Sequence, residues 1–311
     1  MKKRQNQGVK AYYTDHFVLP LPPGHRFPME KYRLLRDLVA TNPDIELIEP
    51  AAATNQDLLR AHDVGYIEAV TQGKLSEAQV REIGFPWTDA MVERSRRSAG
   101  ATIAACLSAL TEGVSVNLAG GTHHAYADKG SGFCVFNDAA VAARYVQALQ
   151  PTRVAVIDLD VHQGNGTAAI LGRDSSCFTL SLHGEKNFPF RKEDSHLDIG
   201  LPDGCGDDEY LKILQDALIE LERRFTPELI IYLAGADPHE GDRLGRLKLT
   251  MHGMAERDRL VLGFARELRC PIAIAMAGGY GRNIQTTVDV HHQTIQLAFQ
   301  YHQQINSKVH Q

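Results

Sequence analysis

A chain of 311 residues, 43% hydrophobic and 23% charged, has an ordinary globular composition and the length for one large α/β domain or two small ones. Its formal net charge of −5 excludes a broadly basic nucleic-acid surface, so a protein-tail substrate would have to be met by local acidic residues. Five scattered cysteines, Cys106, Cys134, Cys177, Cys205 and Cys270, form no C-x-x-C pair, which argues against a disulfide framework or a thiolate zinc site and points to a reducing cytoplasm.

Met1-Lys2-Lys3-Arg4 is followed by polar Gln5-Asn6-Gln7-Gly8 and not by an apolar core, so secretion is not expected. Residues 1–8 and 307–311 read as frayed tails around a single domain spanning 1–311. Leu19 to Gly24 reads as a loop. A helix is expected over Asp89 to Leu110, then a strand over Ser115–Ala119. Asn137-Asp138 caps a helix to about Leu149. Strands follow at Val154–Ile157 and Cys177–Leu182, then a long loop over 184–203 that carries Phe188-Pro189-Phe190. Asp207-Asp208 opens a helix ending near Phe225, before a strand over Leu229–Ala234. Thr250 opens another ending near Leu268, before a strand over Ile272–Ala277, a run far too short to span a bilayer. Uninterrupted apolar strands alternating with helices predict a central, mainly parallel sheet flanked by helices and joined by right-handed crossovers.

In open α/β sheets ligands bind beyond the carboxyl ends of the strands. After Val154–Ile157 comes Asp158-Leu159-Asp160-Val161-His162. In extended chain, residues two apart point the same way, so Asp158, Asp160 and His162 converge while Leu159 and Val161 face the core. Two buried carboxylates and an imidazole are costly unless a charge pairs with them, and a divalent metal would do so. The plainer alternative is a carboxylate capping the next helix beside a satisfied histidine. After Ser115–Ala119 comes Gly120-Gly121-Thr122-His123-His124, whose histidines are ligands, acid/base groups or incidental. After Leu229–Ala234 comes Asp237, and after Ile272–Ala277 comes Gly278-Gly279-Tyr280, whose hydroxyl can meet a reacting oxygen or be that of an ordinary half-buried tyrosine. Asp160, His162 and Asp237 would give zinc three protein ligands and leave a fourth position open, the pattern of catalytic sites. Nitrogen and oxygen ligation without thiolate also admits iron or cobalt.

The ordered motifs GGTHHA (120–125), GFCVFND (132–138), DLDVHQGNGT (158–167), SLHGEKNFPF (181–190), GADPHEGDRLG (235–245) and AGGY (277–280) resemble those of the histone deacetylase family over Tyr13 to Ile295. The HQGNG form, EGDRLG and Ile83-Gly84-Phe85-Pro86 look most like the class IV branch and its bacterial relatives. The resemblance implies an arginase-like α/β fold and one catalytic zinc on Asp160, His162 and Asp237. It makes His124 the principal general base and acid, oriented by Asn165, and His123 a second imidazole held by Asp158. It gives Tyr280 the developing oxyanion, and has Phe133 and Phe188, with Gly132, wall a tunnel for the acylated side chain. It also implies a structural potassium on backbone oxygens around Asp158, Asp160, His162, Ser181 and Leu182. The implied substrate is an acylated lysine in a peptide or protein, or an acylated small amine such as a polyamine, with no direct nucleic-acid binding.

Three rival readings remain open in the sequence. A binuclear manganese ureohydrolase shares the fold, but Pro238, His239, Glu240 and Asp242 supply no obvious second-metal set around Asp237. A non-catalytic acyl-lysine or metabolite binder would keep the metal pocket, though Tyr280 and the paired histidines weigh against it. Deacetylation of polyamines in place of proteins, and the length of acyl chain accepted, depend on packing around Phe133, Phe188 and residues 81–87.

Overall fold

The structure is a computed structural model and describes residues 8–307. Its first half runs β1 (Val9–Tyr12), α1 (Glu30–Val39), β2 (Ile45–Ile48), α2 (Asn55–Leu58), α3 (Val64–Thr71), α4 (Glu77–Ile83), α5 (Asp89–Glu112), β3 (Val114–Asn117) and α6 (Asp138–Leu149). The second half runs β4 (Val154–Asp158), α7 (Asn165–Leu171), β5 (Cys177–Gly184), β6 (Leu197–Leu201), α8 (Asp207–Arg224), β7 (Leu229–Leu233), α9 (Met251–Glu267), β8 (Ile272–Ala275) and α10 (Ile284–Ser307).

All eight strands join one sheet in the order β2-β1-β3-β8-β7-β4-β5-β6, and every neighbouring pair is parallel. The five apolar runs expected as strands are five of its six interior members; the sixth is the short strand β1, which has no such run in the sequence. Their side chains split by the two-residue period of extended chain. Val154, Val156, Leu229, Ile231 and Leu233 pack into the core under α5 and α6, whereas Ala155, Ile157, Ile230 and Tyr232 face the core under α8, α9 and α10. Both faces are covered, so β4, β7 and β8 read as apolar runs, and the polar residues that alternate in β3 and β5, among them Ser115, Asn117, Thr179 and Ser181, are themselves buried. Burying one such side chain stabilises the fold by about 1.5–3 kcal/mol.

Two of the expected helix starts rest on side-chain caps that satisfy otherwise orphaned N–H groups, whereas α8 begins after Gly206 with no side-chain cap. Asn137 accepts from the Ala140 N–H at the start of α6, and Thr250 from the Gly253 N–H at the start of α9. One expectation needs correction. Residues 184–203 are not all loop, because Leu197–Leu201 adds the edge strand β6 beside β5. The expected tails fall outside the described residues except for Gly8 and Ser307, and Ser307 is the last residue of α10.

The order β3-β8-β7-β4-β5 has one functional consequence. The strands that precede His123, Tyr280, Asp237, Asp160 and Phe188 are consecutive neighbours, so their carboxyl ends meet along one stretch of sheet edge.

Candidate active site

Beyond β4 the chain bends through residues 160–162. Leu159 and Val161 are fully buried in the core, and Asp160 and His162 turn to the opposite side. Donor atoms of Asp160, His162 and Asp237 lie within 4.8 Å of one another, and all three residues are buried. His162 Nδ1 is 2.9 Å from Asp160 Oδ1 and 3.3 Å from Asp237 Oδ2. Backbone donors hold the carboxylates in place: Gly278 N–H donates to Asp160 Oδ2 at 2.8 Å, and Val161 N–H to Asp237 Oδ1 at 2.9 Å. Gly278 has to be glycine, since a Cβ there would sit 2.2 Å from Asp237 Oδ2 and 2.4 Å from Asp160 Oδ2.

Two features show that this set fits a divalent cation. Asp237 Oδ2 is buried and has only the His162 imidazole near it, at 3.3 Å and outside hydrogen-bond geometry, an arrangement costly for a carboxylate oxygen unless an ion meets it. The cluster also draws protons in place of metal. Burial opposes charge on His162, but the neighbouring Asp160 and Asp237 carboxylates prevail and push its imidazole up to about 10. Burial, with Asp160 alongside, pushes Asp237 up to about 7. One nitrogen and two carboxylates without sulfur suit zinc, iron or cobalt. Among the described residues no other group of three His, Cys, Asp or Glu converges this way. Asp242, the nearest carboxylate for a second metal, is already engaged: Oδ2 accepts from Tyr280 N–H at 2.6 Å, and Oδ1 from Leu244 and Gly245 N–H.

The paired histidines sit beside this cluster in different electrostatic states. His123 Nδ1 lies 2.6 Å from Asp158 Oδ2. Burial disfavours its charge, but Asp158 and Asp160 outweigh that and push it up to about 9. His124 Nδ1 lies 2.7 Å from Asn165 Oδ1, and burial beside His123 and His162 holds it well below the ordinary histidine value. Asn165 Nδ2 donates to Tyr126 Oη at 2.9 Å, and Tyr126 donates on to Glu193 at 3.0 Å. That chain turns the amide oxygen toward His124, which therefore carries its proton on Nδ1 and leaves the Nε2 lone pair available.

Tyr280 is nearly buried. Burial beside Asp160 and Asp237 raises its hydroxyl well above 10, so the hydroxyl stays a donor. His124, His162 and Tyr280 lie at the base of a cavity of about 590 Å³ walled by Gly132, Phe133 and Phe188. The Phe188 ring stands edge-on to His124 at 4.9 Å, and Phe133 lies 6.0 Å from Tyr280. Ser181 and Leu182 lie on β5 beside β4, with Ser181 in register with Asp158.

Several supporting residues carry no legible sequence signal as site residues. Asp138, expected only as part of a helix cap, accepts from Gly121 N–H, Thr122 N–H and Thr122 Oγ1 at 2.7–3.0 Å and so fixes the turn that presents His123. Lys31, on α1 and 2% exposed, donates to the carbonyls of Ala277 and Gly279 at 3.3 Å, and its Nζ lies 5.5 Å from the Tyr280 ring centre. Arg257, fully buried and paired with Asp258, donates to Gly235 O at 2.6 Å behind Asp237. An isolated lysine or arginine in a helix gives no hint of such a place.

Comparison with known proteins agrees with this geometry. Residues 25–295 match the family model described as the histone deacetylase domain. The chain is 42% identical to an uncharacterised protein of Picosynechococcus sp., over 91% of this chain and 96% of that one. It is 34% identical to histone deacetylase 2 of Arabidopsis thaliana, over 82% of this chain and 70% of that one. Its fold is similar to the crystal structure of a histone deacetylase homologue complexed with SAHA, at TM-score 0.82 and 27% identity, covering 94% of this chain and 84% of that one. The chain belongs to the histone deacetylase family.

Proposed function

We propose that this protein is a zinc-dependent deacylase that hydrolyses the amide of an acylated lysine side chain. The observation that carries the reading is the three-ligand cluster Asp160–His162–Asp237, whose His162 lines a cavity that also presents His124 and Tyr280. Support also comes from family membership and from the HQGNG and EGDRLG segments, which favour a class IV-like branch.

A cation at the cluster, when bound, supplies Lewis-acid polarisation of the amide carbonyl and lowers the pKa of water. The chain's own residues do the rest. Phe133 and Phe188 hold an extended aliphatic side chain between them and keep water from its stem. His124, neutral with Nε2 free, accepts the proton of the attacking water. The Tyr280 hydroxyl donates to the oxygen that gains charge at the carbonyl. His123, hydrogen-bonded to Asp158, is held beside the reacting centre as a second imidazole. The proton gained by His124 passes to the leaving nitrogen as the C–N bond breaks, giving a carboxylic acid and a free amine.

The same reading carries a potassium ion on Asp158, Asp160, His162, Ser181 and Leu182, which a potassium-dependent rise in Tm would check. Five buried, unpaired cysteines support a cytoplasmic setting. No helix among the described residues is long and apolar enough to cross a membrane. The experiment that tests the activity is a panel of acetyl-, butyryl- and myristoyl-lysine peptides plus acetylated polyamines, run with and without a chelator. Chelator-sensitive release of acid from a lysine peptide is the expected result. Turnover of polyamines alone would move the activity to small amines, and binding without turnover would make the protein a recognition module.

A further inference from the structure

The whole chain is acidic, yet the mouth of the cavity is basic. Arg26, Arg81, Lys186 and Arg246 line it, with Glu82 as the one lining carboxylate. These cations come from four separate stretches: the loop before α1, α4, the chain after β5 and the chain after β7. Three are well exposed, with side-chain exposure of 70% for Arg81, 67% for Lys186 and 53% for Arg246. Their carboxylate partners do not balance them. Glu82 is shared with Lys129 at 3.4 Å, Arg81 reaches only the outer Glu77 at 3.4 Å, and one carboxylate, Asp203, serves both Arg246 at 2.9 Å and Lys186 at 4.0 Å. Five cations thus meet three carboxylates around the opening. The acidic residues that a basic protein tail would require are outnumbered there, Glu82 alone lining the cavity.

We propose that the preferred substrate is an acyl-lysine flanked by acidic residues, and that Arg81, Lys186 and Arg246 select it. This rests on the deacylase reading for its turnover, though not for its binding. Flanking carboxylates meet the rim cations when the acylated side chain is threaded between Phe133 and Phe188. Lysine- or arginine-rich flanks, or a polyamine with a free ammonium, meet like charge. Exposed ion pairs are individually weak, so selection comes from several acting together and fades with salt, because the Debye length falls to about 10 Å at 0.1 M.

The test uses acetyl- and butyryl-lysine peptides of one length whose flanks are Asp/Glu, Gln/Ala or Lys/Arg. Acetylputrescine serves as a small cationic probe. Binding is read by fluorescence anisotropy and turnover by released acid, at low and high ionic strength. Acidic flanks are expected to win over basic ones by about ten-fold in Kd and in kcat/KM at low salt, with the gap closing as salt rises. Lys186→Glu with Arg246→Glu should reverse the ranking, and Arg81→Glu, on a different element, should shift it the same way. Equal or better use of basic flanks, or of acetylputrescine, overturns the proposal. Turnover without charge preference sinks it and leaves the deacylase reading intact. Preferential binding of acidic peptides without turnover does the reverse.

Discussion

Nδ1 of His124 lies 2.7 Å from Oδ1 of Asn165, whose amide is turned by Tyr126 so that its oxygen faces the imidazole. A neutral amide fixes the tautomer of His124 without holding a positive charge on it. Asn165→Asp places a carboxylate there, which raises an adjacent histidine by about 1–3 units. The base must be unprotonated to accept a proton, so the acidic limb of the kcat/KM profile should move to higher pH and activity below neutrality should fall. A limb that stays put or moves down contradicts the assigned role.

Tyr280 keeps its proton through burial, and its backbone is anchored by Asp242. Removing one donor to a developing oxyanion typically lowers turnover by about 10²–10³-fold. Tyr280→Phe should lose activity on that scale while elemental analysis finds its metal content unchanged. Near-normal turnover would remove Tyr280 from the mechanism.

Gly132 has φ 53° and sits against the cavity floor, where a Cβ would fall 2.7 Å from His124 Cδ2 and 3.0 Å from Phe188 Cε1. Gly132→Ala therefore strains the backbone and narrows the tunnel together. The expected outcome is a large loss of kcat/KM with full metal content. Unimpaired turnover would show that the acyl chain takes another path.

His62 is buried between Tyr126 and Asn137, donating from Nδ1 to a carbonyl and accepting the Asn137 N–H on Nε2, each at 2.9 Å. Burial lowers it from 6.5 to about 4. The unfolded chain therefore binds its proton first as pH falls. Stability is fully present above pH 6.5 and is lost as pH drops from 6.5 toward 4, by about 3 kcal/mol over that window. His62→Phe should flatten this part of the urea-denaturation stability profile. At neutral pH it should cost about 1–3 kcal/mol for the stranded Asn137 N–H. An unchanged slope between pH 6.5 and 4 would assign the effect elsewhere.

Five of the six interior strands are legible in sequence, β4, β7 and β8 most clearly because both faces are buried and they read as apolar runs, while the four-residue β1 is too short to stand out. Helices α6, α8 and α9 are legible because side chains or a proline mark their ends. The edge strands are not: Leu197–Leu201 is half exposed and contains Asp198 and Gly200, so it reads as loop. The 24-residue helix α10 is rich in Gln, Thr and His, which blurs its apolar face. Among site residues, Asp160, His162, Asp237, His124 and Tyr280 follow strand ends, where the two-residue period and the sheet edge bring them together. Lys31 and Arg257 reach the site from flanking helices, and only tertiary packing decides that. The charge of the mouth was also hidden, because its cations lie far apart in a chain whose total is acidic.

The most direct test of the central claim is metal stoichiometry by elemental analysis of the purified protein, compared with Asp160→Ala and Asp237→Ala. The account predicts close to one divalent ion per chain and near-complete loss in both variants while circular dichroism remains native. Two ions per chain, or full retention of the metal by folded Asp237→Ala protein, would contradict it.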